Sequence, residues 1–161
     1  MPTTIAELVE SYLKGPADLR RHVAGMTREQ MLERPVPGKW STLEVIAHIA
    51  DFEPILADRV KRTIALTEPT LLAADENQFV IALAYHERDA EDELRLIELT
   101  RSQLARILLK LPETILTRKG IHSIKGPKTV EELMRMVSGH IGSHLPHINE
   151  KRKALGLSVV A

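Results

Sequence analysis

The sequence predicts an all-α fold, a four-helix bundle with a long crossover between its second and third helices. Three observations lead there. Apolar residues recur three and four apart over long stretches, aromatic residues are only 3% of the chain, and the same capping chemistry marks one helix start after another. With 161 residues, 43% of them hydrophobic, the chain can bury one sizeable core, and it reads as one domain over residues 1–161.

The first helix is expected from about Thr3 to Arg34, broken near Gly15-Pro16, with Thr27-Arg-Glu-Gln30 as a capping box inside that span. Turn formers at Pro35-Val-Pro37-Gly38 end it. The second helix is expected from Ser41 to about Leu66: Ser41-Thr-Leu-Glu44 is a capping box, and Trp40 just before it can staple against Val45. A break around Thr67-Glu-Pro69 opens the crossover, residues 67–88, which is expected to hold a short helix from about Asn77 to Tyr85.

The third helix is expected from Asp89 to about Leu111, where Asp89-Ala-Glu-Asp places carboxylates at the positive end of the helix dipole. Pro112 to Pro127 contains Gly120 and Gly126 and reads as a loop or short hairpin. The fourth helix is expected from Thr129 to about Ala154, opened by the capping box Thr129-Val-Glu-Glu132 and stopped by Gly156. Pro146 inside it predicts a local kink, and Gly139 and Gly142 are expected to let another helix come close.

Composition narrows the function. Lysine plus arginine and aspartate plus glutamate both number 22, so no broad positive field is available to bind nucleic acid phosphates. Cysteine is absent, which excludes disulfides, thiolate ligands and a catalytic thiol of the protein's own. No segment approaches the roughly 20 apolar residues of a membrane span and no basic-then-apolar leader opens the chain, so the expected location is the cytoplasm.

Chemistry concentrates in histidine. His140, His144 and His147 run along the border of an apolar stripe made by Leu133, Val137, Ile141, Leu145 and Ile148. His140 and His144 are one turn apart and can reach one ion. His48, beside Val45, Phe52 and Ile55 on the second helix, is the natural third ligand. The bland alternative is that each imidazole packs against the core and bonds a backbone carbonyl. Spacing alone leaves both readings open, because it does not prove that two distant helices face each other. Neutral imidazoles suit zinc, nickel, iron or copper, while scarce carboxylates and absent thiolates disfavour calcium or a structural zinc.

The stretch Pro37-Gly-Lys-Trp40-Ser-Thr-Leu-Glu-Val-Ile-Ala-His48-Ile-Ala-Asp51-Phe-Glu53, followed by Asp58-Arg59 and then His140-Ile-Gly-Ser-His144-Leu-Pro-His-Ile148, resembles the DinB-like superfamily, especially its YfiT-type members. The likeness spans essentially the whole chain. It implies an up-down-down-up four-helix bundle holding a divalent metal, zinc or nickel, on His48, His140 and His144. Many relatives carry glutamine where this chain has His147, which implies a supporting or substrate-facing group there.

The family includes metal-dependent hydrolases that activate water, transferases that join a low-molecular-weight thiol to an electrophile, and a thiol-dependent isomerase. The leading expectation is therefore a metal-dependent hydrolase acting on a small molecule, with thiol transfer and a non-catalytic metal- or ligand-binding bundle as alternatives. The resemblance also implies a homodimer, while the balanced charge and the lack of a long apolar segment lead to the expectation of no nucleic acid or membrane partner.

Other residues carry two readings each. Asp51 could orient an imidazole or move protons, or be a solvated carboxylate. Arg59 could bind an anionic group of a substrate or form an interhelix salt bridge. Tyr85 in the crossover could donate to an oxyanion or simply pack. Glu44 is expected to cap, Glu53 to lie on the surface, and His22 and His122 to be ordinary surface or loop residues. Lys119, Lys125 and Lys128 read as a solvated basic segment.

Overall fold

The computed structural model describes residues 3–161. Its helix starts follow the capping chemistry. Thr4, Thr27, Ser41 and Thr129 each accept from the backbone N–H three residues on, and the residue at that position reaches back. Helix α1 covers Ile5–Val23, α2 Arg28–Leu32, α3 Thr42–Ala65, α4 Glu76–Ala82, α5 Ala90–Leu108 and α6 Val130–Ala154. Asp89 caps α5 through the backbone N–H of Asp92. Gly156, at φ 73°, ends α6 with Leu157 N–H donating to the Arg152 carbonyl.

The expected break at Gly15-Pro16 is not there. Helix α1 runs through both residues, and the chain turns instead at Gly25, whose φ of 75° favours glycine. The reason lies in Arg101. Pro16 has no N–H, so the Tyr12 carbonyl loses its helical partner, and Arg101 Nη1 donates to that oxygen at 2.6 Å. A Cβ on residue 15 would lie 2.6 Å from the same Nη1. Gly15 and Pro16 together form a slot for a guanidinium, not a helix end.

Four long helices, α1, α3, α5 and α6, make the bundle: α1 packs on α5 and α6, and α3 packs on the same two. One apolar cluster includes Tyr12, Val60, Leu104, Met134 and Val137. A second includes Leu19, Ile46, Ile97, Ile141 and Ile148. Glu53, expected on the surface, is fully buried between them. Arg101 Nη2 donates to it at 3.0 Å and the Tyr12 hydroxyl at 2.9 Å, and Arg101 also donates to the Val137 carbonyl at 2.9 Å. This polar knot ties α1, α3, α5 and α6 at one level.

The sequence-predicted loop or hairpin after α5 is a hairpin, β2 (Lys119–His122) with β3 (Gly126–Thr129). The crossover adds a short parallel strand, β1 (Thr70–Leu71), with Thr70 opposite Ile121. This small sheet sits tightly on α3, where a Cβ at Gly120 would meet Thr63 Oγ1 at 2.6 Å. The crossover helix begins at Glu76, and a single 3₁₀ turn at Tyr85–Glu87 follows it. Helix α6 continues through Pro146. Gly139 and Gly142 do not admit a neighbouring helix, since a Cβ at either meets nothing within 4 Å. No helix among the described residues is long and apolar enough to cross a membrane.

Candidate metal centre

Helices α3 and α6 bring His48, His140 and His144 together. His48 Nε2 lies 3.1 Å from His140 Nε2, which in turn lies 3.3 Å from His144 Nε2. An imidazole nitrogen carries either one proton or one lone pair, so His140 Nε2 cannot serve both neighbours as a hydrogen-bond donor and acceptor at once. Two zinc–nitrogen bonds of about 2.0–2.1 Å at a tetrahedral angle separate their nitrogens by roughly 3.4 Å. The observed spacing is one that a single cation could bridge, each histidine offering one ring nitrogen.

Burial keeps these rings neutral and able to act as ligands. His48 is held down to about 4, chiefly by burial and then by His144, with Asp51 opposing. Burial and the two neighbouring imidazoles take His140 to about 3. His144 falls to about 4 through burial, His147 and Lys151. The His48 ring lies against Trp40 and Phe52, at centroid distances of 5.2 and 4.6 Å. The Nδ1 atoms of His48 and His140 are buried without a protein partner among the described residues. Apolar packing, more than outer hydrogen bonds, therefore orients these rings.

The other sequence candidates divide. His147 stands outside the cluster, half exposed, with Nδ1 3.6 Å from Glu150. Asp51 is held by Arg88, whose Nη1 and Nη2 donate to its two oxygens at 2.5 and 2.9 Å. Tyr85 is fully buried under that guanidinium, 4.8 Å from ring centroid to Cζ. Burial, then Asp51, raises the Tyr85 phenol well above its ordinary value, so it stays protonated. Asp51, Arg88 and Tyr85 thus latch the end of the crossover onto α3. Glu44 caps α3 and also pairs with Arg34.

Arg59 makes no interhelix salt bridge with the described residues. Its Nη2 donates to the Leu72 carbonyl at 2.6 Å, and burial lowers its basicity. His22 and His122, expected at the surface, are both buried. His22 Nδ1 donates to the Asp18 carbonyl at 2.8 Å, closing a helical turn. His122 Nδ1 accepts from the backbone N–H groups of Ile124 and Lys125, each at 3.2 Å, and so shapes the hairpin tip.

Sequence reasoning missed Glu76. Its Oε2 lies 3.6 Å from His48 Nε2, and the side chain is 53% exposed. Helix α4 is pinned over α3 by Phe79 against Phe52, centroids 5.2 Å apart. Asp75 caps that helix, and this local cue marks where α4 starts, but only the folded crossover places its first residue over the histidines. Beside His140 opens a cavity of about 470 Å³ walled by Phe52, Leu56, Met136 and Arg59.

A helical bundle with three convergent imidazoles and a carboxylate at their edge defines a candidate metalloprotein of the histidine-only type. The DinB superfamily profile matches residues 12–148, and the chain belongs to that family. Two proteins of Oceanobacillus iheyensis, each named a "putative metal-dependent hydrolase", are similar to it. One is 23% identical over 78% of this chain and 72% of its own length. The other is 27% identical over 86% of this chain and 81% of its own.

Among solved structures, YfiT from Bacillus subtilis, described as a probable metal-dependent hydrolase with an unusual four-helix bundle topology, superposes with a TM-score of 0.87. It shares 22% identity, covering 96% of this chain and 89% of that one. A mycothiol-dependent maleylpyruvate isomerase superposes at 0.70 with 16% identity, over all of this chain and 62% of that one. The bundle topology is that of YfiT.

Proposed function

We propose that the chain is a metal-dependent hydrolase of small molecules, with His48, His140 and His144 holding a divalent ion, zinc or nickel. The convergence of three Nε2 atoms, 3.1 and 3.3 Å apart along the chain of contacts, carries this reading. An ion bound there would supply Lewis acidity, lowering the pKa of coordinated water. The chain's own groups do the rest. Glu76 Oε2, 3.6 Å from His48 Nε2, accepts the proton that an attacking water gives up. Phe52, Leu56 and Met136 offer an apolar wall for the substrate body. The Asp51–Arg88–Tyr85 latch keeps Glu76 near by holding the far end of the crossover.

Thiol transfer is the second reading, favoured by the structural likeness to the mycothiol-dependent isomerase and consistent with a chain that has no cysteine of its own. Metal-loaded protein assayed against ester, amide and lactone panels, with and without added thiol, separates the two. The hydrolase reading expects thiol-independent turnover that falls at least about a hundredfold in Glu76→Gln, the scale of a lost general base, with metal content unchanged. Turnover only with thiol, or full hydrolysis by Glu76→Gln, overturns it.

A further inference from the structure

Arg59, a buried arginine that shares a cavity with His140, makes no ion pair with the described residues. Arg59 is 7% exposed. It donates to one backbone carbonyl, and its Nε is buried without a partner among the described residues. The adjacent carboxylate, Asp58, is hydrogen-bonded to Arg62 at 2.5 Å and acts on Arg59 only through space, too weakly to offset its burial. Other buried cations are satisfied in two ways. Arg101 has a carboxylate, Glu53, at 3.0 Å, whereas Arg152 spends its guanidinium on the carbonyls of Ser158, His22 and Ala24 and Lys151 donates to that of His147. Arg59 has neither a bonded carboxylate nor the three carbonyls that Arg152 has. Leaving a desolvated cation without a counter-charge is costly, unless an anion arrives from outside.

The surroundings fit such an anion. Arg59, His122 and Lys125 line the 470 Å³ cavity that also reaches His140, and no carboxylate among the described residues lines it. Because His122 Nδ1 accepts two backbone N–H bonds, the ring proton must sit on Nε2. That leaves an N–H donor without a protein partner among the described residues. Burial, then Arg59, Lys125 and Lys128, lowers the His122 pKa and keeps the ring neutral. One buried positive charge, one neutral N–H donor and a lysine at the exposed edge suit a singly charged, planar acceptor better than a doubly charged phosphate.

We infer that the substrate is an organic carboxylate with an apolar body. Arg59 and His122 hold its carboxylate, Lys125 adds attraction at the mouth, and Phe52, Leu56 and Met136 hold the body so that its far end meets the histidine cluster. This deepens the hydrolase reading and rests on it for the identity of the reacting centre, though the anion subsite stands on its own residues.

The test is calorimetric titration of metal-loaded protein with 4-phenylbutyrate, its uncharged analogue 4-phenylbutanamide, and inorganic phosphate, with metal content measured on every sample. The carboxylate is expected to bind about tenfold or more tighter than the amide, the scale of one charge-assisted pair. Phosphate is expected to compete weakly. Arg59→Met should erase the preference, and Lys125→Gln, an exposed change that leaves the fold alone, should reduce it by about threefold. Equal binding of acid and amide, or phosphate competing as well as the acid, overturns the inference. So does a preference that survives Arg59→Met but vanishes on metal removal, since the carboxylate would then be bonding the ion. An Arg59-dependent preference in protein that never takes up metal would instead sink the metalloenzyme reading and leave this subsite standing.

Discussion

Replacing Gly15 with alanine sets two effects of opposite sign against each other. Within a helix, Gly→Ala is worth about 1 kcal/mol of added stability, and Gly15 lies well inside α1. The new Cβ would lie 2.6 Å from Arg101 Nη1 and 3.1 Å from Ile141 Cδ1. An exposed arginine would swing aside, but Arg101 is fully buried and tied to Tyr12, Glu53 and Val137. Displacing it breaks its bond to the Tyr12 carbonyl, an oxygen that Pro16 has already deprived of a helical N–H. A charged hydrogen bond of this kind contributes about 1.5–3 kcal/mol.

The balance is a net loss of about 0.5–2 kcal/mol, or a fall in Tm of about 1–8 °C for a domain this size. Urea unfolding at 25 °C, backed by thermal melts, measures it. The same change made where Arg101→Met and Glu53→Leu have removed the ion pair should be neutral or stabilising, which isolates the clash from propensity. A Gly15→Ala protein as stable as wild type, or more so, refutes the slot.

Glu53→Ala should cost about 3–5 kcal/mol by stranding Arg101 in the core, a loss read from the same urea curves. Metal-free protein should weaken in acid. His48, His140 and His144 titrate near 4, 3 and 4 in the fold and near 6.5 in the unfolded chain. The unfolded state therefore takes up the extra protons, and stability complete above pH 6.5 drains away as pH falls towards 4, at up to about 1.4 kcal/mol per histidine per unit. Replacing the three with phenylalanine should flatten that part of the profile in urea titrations. Asp51→Asn should loosen the latch and raise the rate of proteolytic nicking between residues 72 and 88 several-fold, with little change in global unfolding.

How much could be read from the sequence follows the range of the interactions involved. Capping boxes at Ser41 and Thr129 are contacts over three residues, and each starts a helix where expected, while the box at Thr27, placed inside the first helix by the expected bounds, opens the separate α2. His140 and His144 need only a helical turn to converge, whereas His48 needed the packing of α3 on α6, which the family resemblance supplied and spacing did not. The misjudged positions are those whose partner comes from another element. Gly15-Pro16 reads as a break until Arg101 arrives from α5, and Glu53 reads as surface until the same guanidinium meets it. His122 is buried because the hairpin folds back on α3, and Glu76 reaches the histidines only through the crossover.

The most direct test of the central claim is metal stoichiometry. Protein purified without a histidine tag should bind one divalent ion per chain, zinc or nickel, as read by elemental analysis and isothermal titration. Binding should weaken by at least about a hundredfold, a loss beyond that expected for an outer-shell partner, when His48, His140 or His144 alone is changed to alanine, and hardly at all for His147→Ala. Wild-type protein that takes up no ion, or a His48→Ala protein that binds as tightly as wild type, would contradict a centre shared by α3 and α6.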